Sequence, residues 1–162
     1  MVNDAPLRLV AASLRSPDAQ RLVDEVQAEY TVLYGAPDEA PVDVAELDPP
    51  GGAFFLGYAA DVPVAMGGWR RRTDLRPWGL TSVAEIKRMY VVPAARRHGH
   101  ARTVLSHLEG TARRAGVEAL VLETGTQQPA AIALYTAHGY EPVESYGYYT
   151  WSPLSRCFGR RL

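Results

Sequence analysis

The stretch "MYVVPAARRHGHARTVLSHLE" (Met89–Glu109) changes from the pattern of a buried strand to that of an amphipathic helix. Its apolar start stops at Pro93, which ends a strand because it has no N–H to donate. Three arginines and two histidines then surround Gly99. From Arg102 onward, apolar residues recur at helical spacing. The stretch therefore predicts a strand, a cationic glycine loop and a helix over Arg102–Ala115.

This loop has the composition of a phosphate-binding site. A helix N-terminus offers unpaired N–H groups and a partial positive charge, and Gly99 lets a ligand approach the backbone closely. Arg96, Arg97 and Arg102 add charge. The loop is neither a P-loop, because it lacks Gly-Lys-Ser/Thr, nor a three-glycine dinucleotide fingerprint. The alternative is a basic surface loop that caps a helix.

The flanking sequence predicts further strands and helices, in the order β α (α) β β β α β α β β. Periodicity and turn residues favour helices after Pro17 (ended by Gly35) and over Ala130–His138, and a loop or one short helix between residues 38 and 48. The expected strands are Pro6–Ala12, Ala53–Ala59, Val62–Arg72, Ser82–Val92, Ala119–Glu123, Tyr140–Val143 and Arg156–Leu162. We therefore expect one α+β domain over residues 1–162, with a mixed β-sheet flanked by helices.

Composition excludes several classes of protein. Hydrophobic content of 47% and charged content of 22% are ordinary for a soluble domain. No apolar run approaches the ~20 residues of a membrane span, and the first ten residues lack a secretory signal pattern. Cys157 is the only cysteine, which excludes an internal disulfide and a cysteine-based zinc site. We expect a cytoplasmic protein without a metal.

Charge is distributed unevenly along the chain. Residues 22–69 contain nine acids and no lysine or arginine, whereas the rest has 17 basic side chains and nine acids, a net of 17 − 9 = +8. This asymmetry either reflects ordinary solvated faces or marks two binding surfaces of opposite sign, one for an anion and one for a cation. Nucleic-acid binding is not expected, because the arginines are local and a long segment is acidic.

Two motifs carry a family resemblance. The segment "VVPAARRHGHA" (Val91–Ala101) resembles motif A of the GCN5-related N-acetyltransferases (GNAT), and "QPAAIALYTAHGYEPV" (Gln128–Val143) resembles their motif B. The two motifs stand in the family's order with a strand between them, and the likeness covers the chain from about Ala53. The resemblance implies the acyl-CoA N-acyltransferase fold, in which the central parallel strands, here Ser82–Val92 and Ala119–Glu123, splay apart.

The resemblance also implies acetyl-CoA as cosubstrate. Its pyrophosphate would lie on the motif A loop, and its pantetheine arm would pair with the preceding strand like an added strand. Gln128 stands where many members have an asparagine that binds this arm. The expected contacts are Met89, Tyr90, Val91, Arg96, Arg97, His98, Gly99, His100, Ala101, Arg102 and Gln128.

Catalytic candidates follow from the same resemblance. Tyr135 matches the motif B tyrosine that acts as general acid, although its helical spacing also suits a core aromatic residue. Glu85, 14 residues before Gly99, is the favoured base, and Glu123 is the second candidate. Either glutamate could instead pair with a neighbour such as Arg88 or Lys87. If the acceptor amine arrives uncharged, neither is essential.

The sequence thus predicts an N-acetyltransferase that acetylates a primary amine, with a small cationic amine favoured by the acidic segment. A non-catalytic acyl-CoA sensor with the same fold is the alternative. The aromatic segment "SYGYYTWSP" (Ser145–Pro153) suits three roles, which are a wall of the acceptor pocket, a homodimer interface and closure of the core.

Overall fold

The computed structural model describes residues 5–162, so the first four residues of the expected domain lie outside it. The strands are β1 (Leu7–Ala11), β2 (Gly52–Ala59), β3 (Val62–Arg72), β4 (Val83–Val91), β5 (Ala119–Gly125), β6 (Glu141–Pro142) and β7 (Ser155–Arg161), and the helices are α1 (Pro17–Tyr34), α2 (His100–Arg114) and α3 (Pro129–Ala137). The predicted order is confirmed. Within the described range, no helix is both long and apolar enough to cross a membrane.

The seven strands form one mixed sheet in the order β1-β2-β3-β4-β5-β7-β6. Only β4 and β5 pair in parallel, because α2 carries the chain back between them, and the other neighbours are antiparallel. The predicted α+β class is therefore confirmed. The segment between residues 38 and 48 contains one 3₁₀ turn, Val44–Leu47, which corresponds to the short-helix alternative.

Helices cover both faces of the sheet. On β2, Phe55 belongs to the cluster that also contains Leu105 and Leu108 of α2, whereas Phe54 belongs to the cluster that contains Leu22 of α1. Successive residues of a strand point to opposite faces, so α1 and α2 lie on opposite sides. A strand covered on both faces is continuously apolar, which explains the run "ALVL" at the start of β5.

The sheet opens between its two parallel strands. Their pairing includes Val83 with Ala119 and ends at Glu85 with Val121, although both strands continue beyond these positions. Further along β4 a bulge sets two residues, Arg88 and Met89, against Gly67 of β3. Arg88 has a φ of +61°, which is uncommon for a residue other than glycine. The bulge bends β4 beside the gap that separates it from β5.

The acidic segment is extensively paired with the basic remainder of the chain. Within residues 5–162, four ion pairs cross between the two, with nitrogen–oxygen distances of 2.8 to 3.5 Å: Arg96–Glu29, Arg15–Asp48, Arg70–Glu46 and Arg88–Asp38. Part of the charge asymmetry is thus satisfied within the molecule, and those acids are not free to attract a cationic ligand.

Candidate active site

The motif A loop has the geometry of an anion site. Gly99 is the N-cap of α2 with a φ of +78°, and Arg97 has a φ of +68°. No atom lies within 4 Å of the position that a Cβ of Gly99 would take. The first N–H groups of a helix have no partner within it. The loop therefore presents backbone donors to an open space, as a pyrophosphate requires.

The cationic side chains of this loop have different surroundings. Arg97 and Arg102 are exposed, as is His98, whose ring stacks on that of His100 at 5.9 Å. The Arg96 guanidinium instead donates to both carboxylate oxygens of Glu29, at 2.8 and 3.0 Å, and to the Val91 carbonyl at 2.9 Å. Arg96 therefore ties the loop to α1, and its predicted contact with the cosubstrate stays a prediction.

His100 and Ala101 begin α2, and both are at least partly buried. His100 is only 6% exposed, and its Nε2 has no hydrogen-bond partner among the described residues. The short Ala101 side chain packs against the core cluster of α2. These two residues shape the first turn of the helix, and only their backbone amides remain available for a phosphate.

A small cavity of about 90 Å³ lies beside the gap between β4 and β5. Its lining includes Met89 of the bulge, Glu123 of β5, and Gln128 and Tyr135 of the motif B segment. Tyr90 and Val91, the other two predicted pantetheine contacts, are buried on β4. Because β4 has no strand partner on this side after Glu85, its backbone groups there are free to pair with an extended ligand.

Tyr135 is both a core residue and a cavity residue. It is 6% exposed and packs edge to face on Tyr140 with ring centroids 5.6 Å apart. Burial, reinforced by Tyr30, raises the Tyr135 pKa well above its ordinary value. Its hydroxyl makes no hydrogen bond to another residue within 5–162. The phenol therefore keeps its proton at neutral pH, and this donor is available to a ligand.

Glu123 lies on β5 and lines the small cavity and a larger neighbouring one. Burial raises its pKa, while the neighbouring Ser155 side chain and the charge of Lys87 act in the opposite direction. The Cys157 thiol lies 3.8 Å from its Oε2 atom. A cavity carboxylate with a raised pKa has the properties of a general base.

Glu85 has a different environment. It is 3% exposed, and its Oε1 atom accepts hydrogen bonds from Arg70 Nε at 3.0 Å and from a terminal nitrogen of Arg72 at 2.8 Å. It lines neither of the two cavities. The alternative of a paired glutamate therefore describes Glu85, although its partners lie on β3 and not at Lys87. Of the two carboxylates, only Glu123 faces the space between the strands.

The larger cavity, of about 410 Å³, adjoins the small one. Its walls come from the end of α1, with Tyr30 and Tyr34, and from the loop that contains Tyr149 and Trp151. The residues that line both cavities, and so join them, are Tyr30, Asp38, Lys87, Glu123, Thr124 and Gln128. The two cavities are therefore neighbours with a shared wall.

The aromatic segment divides between two of its three predicted roles. Tyr149 and Trp151 line the larger cavity. The Tyr149 hydroxyl donates to Asp38 Oδ1 at 3.0 Å and accepts the backbone N–H of Glu39 at 2.7 Å. Tyr146 is buried with the core and lies under the Arg72 guanidinium at 5.4 Å. The dimer role stays a prediction.

Several site residues had no signal in the sequence. Tyr30 only continues the helical spacing of apolar residues, Tyr34 carries no signal, and Lys87 is expected only as a neighbour for a glutamate. Gln128 was identified from motif B, and its Oε1 atom accepts the Tyr34 hydroxyl at 3.1 Å, which leaves its amide N–H groups as donors. Within residues 5–162, no group of three His, Cys, Asp or Glu side chains is placed to hold a metal ion.

Comparison with known proteins supports this geometry. The model of the Acetyltransferase (GNAT) family matches residues 19–140. A curated protein from Azospirillum brasilense, named IAA acetyltransferase, is 33% identical over 135 residues, which is 83% of this chain and 84% of that protein.

Two solved structures share the fold. One, from Klebsiella pneumoniae and provisionally named an acyl-CoA N-acyltransferase, has a TM-score of 0.79 at 25% identity and covers 96% of this chain and 97% of that one. The ribosomal-protein-alanine N-acetyltransferase of Brucella melitensis has a TM-score of 0.72 at 19% identity and covers 96% and 99%. With the diverging β4 and β5 and the glycine loop before α2, these matches establish that the chain belongs to the GNAT family of acetyltransferases.

Proposed function

We propose that this protein is an acetyl-CoA-dependent N-acetyltransferase that moves an acetyl group onto the primary amine of a small, ammonium-bearing acceptor. The observation that carries the proposal is the meeting of Glu123 and Tyr135 at one cavity beside the gap between β4 and β5. A carboxylate and a phenol in one water-poor space are the base and the acid that acetyl transfer from a thioester to an amine uses.

The residues of the donor half fit acetyl-CoA. The open space at Gly99 and the exposed Arg97 and Arg102 suit the pyrophosphate, and the unpaired edge of β4 suits the amides of the pantetheine arm. The amide of Gln128, at the wall of the small cavity, suits the end of the arm. Acetyl-CoA supplies the acetyl group as a thioester, whose carbonyl carbon an amine can attack directly.

Glu123 is the proposed base. It removes a proton from the incoming ammonium, and its raised pKa brings its basicity closer to that of the group it deprotonates. As the amine nitrogen bonds to the carbonyl carbon, the backbone N–H of Met89 donates to the developing oxyanion. The carbon–sulfur bond then breaks, and the nitrogen loses its second proton to the phenolate that Tyr135 becomes when it protonates the thiolate, so that one proton, on Glu123, is finally released to solvent.

Tyr135 is the proposed acid. Because burial raises its pKa, it remains a phenol at neutral pH and donates a hydrogen bond, and then its proton, to the departing thiolate. The cavity also desolvates the thiolate and raises its basicity, just as burial raises the pKa of Tyr135. Glu85, the base favoured by the sequence, is proposed to stabilise the fold instead, because two arginines share its carboxylate.

A two-step experiment tests the function. Calorimetric titration with acetyl-CoA and with CoA measures binding, and a thiol-release assay over a panel of amines measures transfer. Binding with release establishes a transferase. Binding without release from any amine favours the sensor alternative, and no binding refutes the placement of the cosubstrate.

A further inference from the structure

Building on the proposed function, we propose that the acceptor is an amino acid with an aromatic side chain, whose carboxylate binds Lys87 and whose amine faces Glu123. The larger cavity is the acceptor site in this proposal. It combines one ammonium group, one available carboxylate and aromatic walls, and these three features match the three parts of such a molecule.

Lys87 is the first of these features. Its side chain is partly buried and lines both cavities, yet it forms no ion pair or hydrogen bond with another residue within 5–162. Glu85, two positions earlier on the same face of β4, is already shared by Arg70 and Arg72. The charges of Lys87 and Glu123 interact without a direct contact, and a ligand carboxylate would give this half-buried ammonium the hydrogen-bonded partner that buried charges require.

The carboxylates of the cavity favour an acceptor with a single ammonium group. Asp38 is engaged by the Tyr149 hydroxyl at 3.0 Å and by Arg88 at 3.5 Å, and Glu39 is exposed at the rim. Glu123 is left to receive the amine. A second positive charge, as in a polyamine, would lie beside the Lys87 ammonium and be repelled.

The walls favour a planar apolar group. Four aromatic side chains line the cavity: Tyr30, Tyr34, Tyr149 and Trp151. Trp151 is 74% exposed, so the rest of the protein leaves most of this large side chain uncovered. Aromatic rings attract one another in stacked and edge-to-face arrangements beyond the effect of buried area. The volume of about 410 Å³ is in the range of small-molecule sites and accommodates an amino acid with a ring.

The test uses three acceptors at saturating acetyl-CoA. L-Phenylalanine carries all three recognised parts, phenethylamine lacks the carboxylate, and L-alanine lacks the ring. We expect kcat/KM for phenylalanine to exceed that for each of the others by about tenfold or more. Phenethylamine loses the charge-assisted hydrogen bond to Lys87, and L-alanine loses the stacked ring. Spermidine serves as the multiply charged competitor.

Variants assign each preference to a residue. Lys87→Gln should lower the ratio of kcat/KM for phenylalanine over phenethylamine about tenfold, and Lys87→Arg should restore part of it. The ratio cancels the effect of Lys87 on the pKa of Glu123, because both acceptors use that base. Trp151→Ala should lower the ratio of phenylalanine over alanine, and the exposed Arg113→Gln on α2 is the matched control, with both ratios unchanged.

The outcomes separate this inference from the proposed function. Release with phenethylamine or spermidine equal to or better than with phenylalanine, or a ratio that Lys87→Gln leaves unchanged, overturns the inference while the transferase stands. Calorimetric titration of phenylalanine into the complex with CoA gives a readout without turnover. Binding that Lys87→Gln abolishes supports the inference even if no amine is acetylated. The absence of both binding and thiol release overturns the inference and the proposed function together.

Discussion

Replacing Glu85 by glutamine should destabilise the protein without removing its activity. Glu85 is 3% exposed, and its carboxylate neutralises Arg70 and Arg72, whose side chains are only 10% and 17% exposed. The variant removes the charge that these two guanidinium groups share. Arg72 keeps Asp74, at 2.7 Å, and Arg70 keeps Glu46, at 3.2 Å, so part of the network survives.

The magnitude follows from the burial of the pair. Breaking a buried ion pair by removing one partner costs about 3–5 kcal/mol, and the surviving partners place Glu85→Gln near the lower end, at about 3 kcal/mol. For a chain of this size 1 kcal/mol corresponds to about 2–4 °C in Tm, so we expect Tm to fall by about 6–12 °C. The exposed Glu144→Gln is the matched control and should change stability by less than about 0.5 kcal/mol.

Thermal melts by circular dichroism, and thiol release at a temperature where both proteins are folded, measure the two quantities. Glu85→Gln should keep most of the wild-type kcat. Glu123→Gln should do the reverse, with kcat lower by about 10²–10⁴ and Tm equal or higher, because a partly desolvated carboxylate has been removed. A Glu85→Gln enzyme with a wild-type Tm and no turnover would refute this reasoning and make Glu85 the base.

Three further results are expected. Tyr135→Phe should lower kcat about 100-fold with little change in KM; wild-type kcat in that variant would remove the acid role. Gly99→Ala and Gly116→Ala, both at φ near +80° in open space, should each lose about 1–2 kcal/mol in urea melts. Only Gly99→Ala should also weaken acetyl-CoA binding by calorimetry, and equal affinities would contradict the loop placement. Because burial raises the Glu123 pKa above 4.5, kcat should fall on the acid side through a pKa above that value. Lys87→Gln should move this limb to higher pH, and a limb that persists in Glu123→Gln belongs to another group.

The donor half of the site could be predicted because its determinants are local. The residues of the motif A loop and of α2 are consecutive in sequence. Gly99 and the arginines beside it act through the backbone and charge of one loop, and α2 packs through one apolar face. The same holds for motif B, where Gln128 and Tyr135 are on one short helix or its cap. Strand and helix ends were accurate to two residues because prolines and glycines mark them.

The acceptor half could not be predicted, since it depends on contacts between distant segments. Nothing near Glu29 in the sequence indicates that it binds Arg96, 67 positions away. The sequence also gives no sign of the bulge in β4. A glycine would have indicated a residue with positive φ, but the residue that takes it is Arg88. The choice of base depends on such contacts too: spacing from Gly99 favours Glu85, whereas the fold pairs its carboxylate with two arginines from β3, and the assignment of the base stays a prediction.

The hydrogen bonds of Tyr149 join the two walls of the larger cavity, since this one hydroxyl holds both Asp38 and Glu39. A designer who wished to give this enzyme a new acceptor would therefore have to exchange the segment after α1 and the loop before β7 together. Exchanging only the segment after α1 leaves the Tyr149 hydroxyl without its partners. Exchanging only the loop before β7 leaves the Asp38 carboxylate and the Glu39 N–H without theirs. Asp38 also lines the small cavity, so the acetyl-CoA affinity of each paired graft has to be measured beside its acceptor preference.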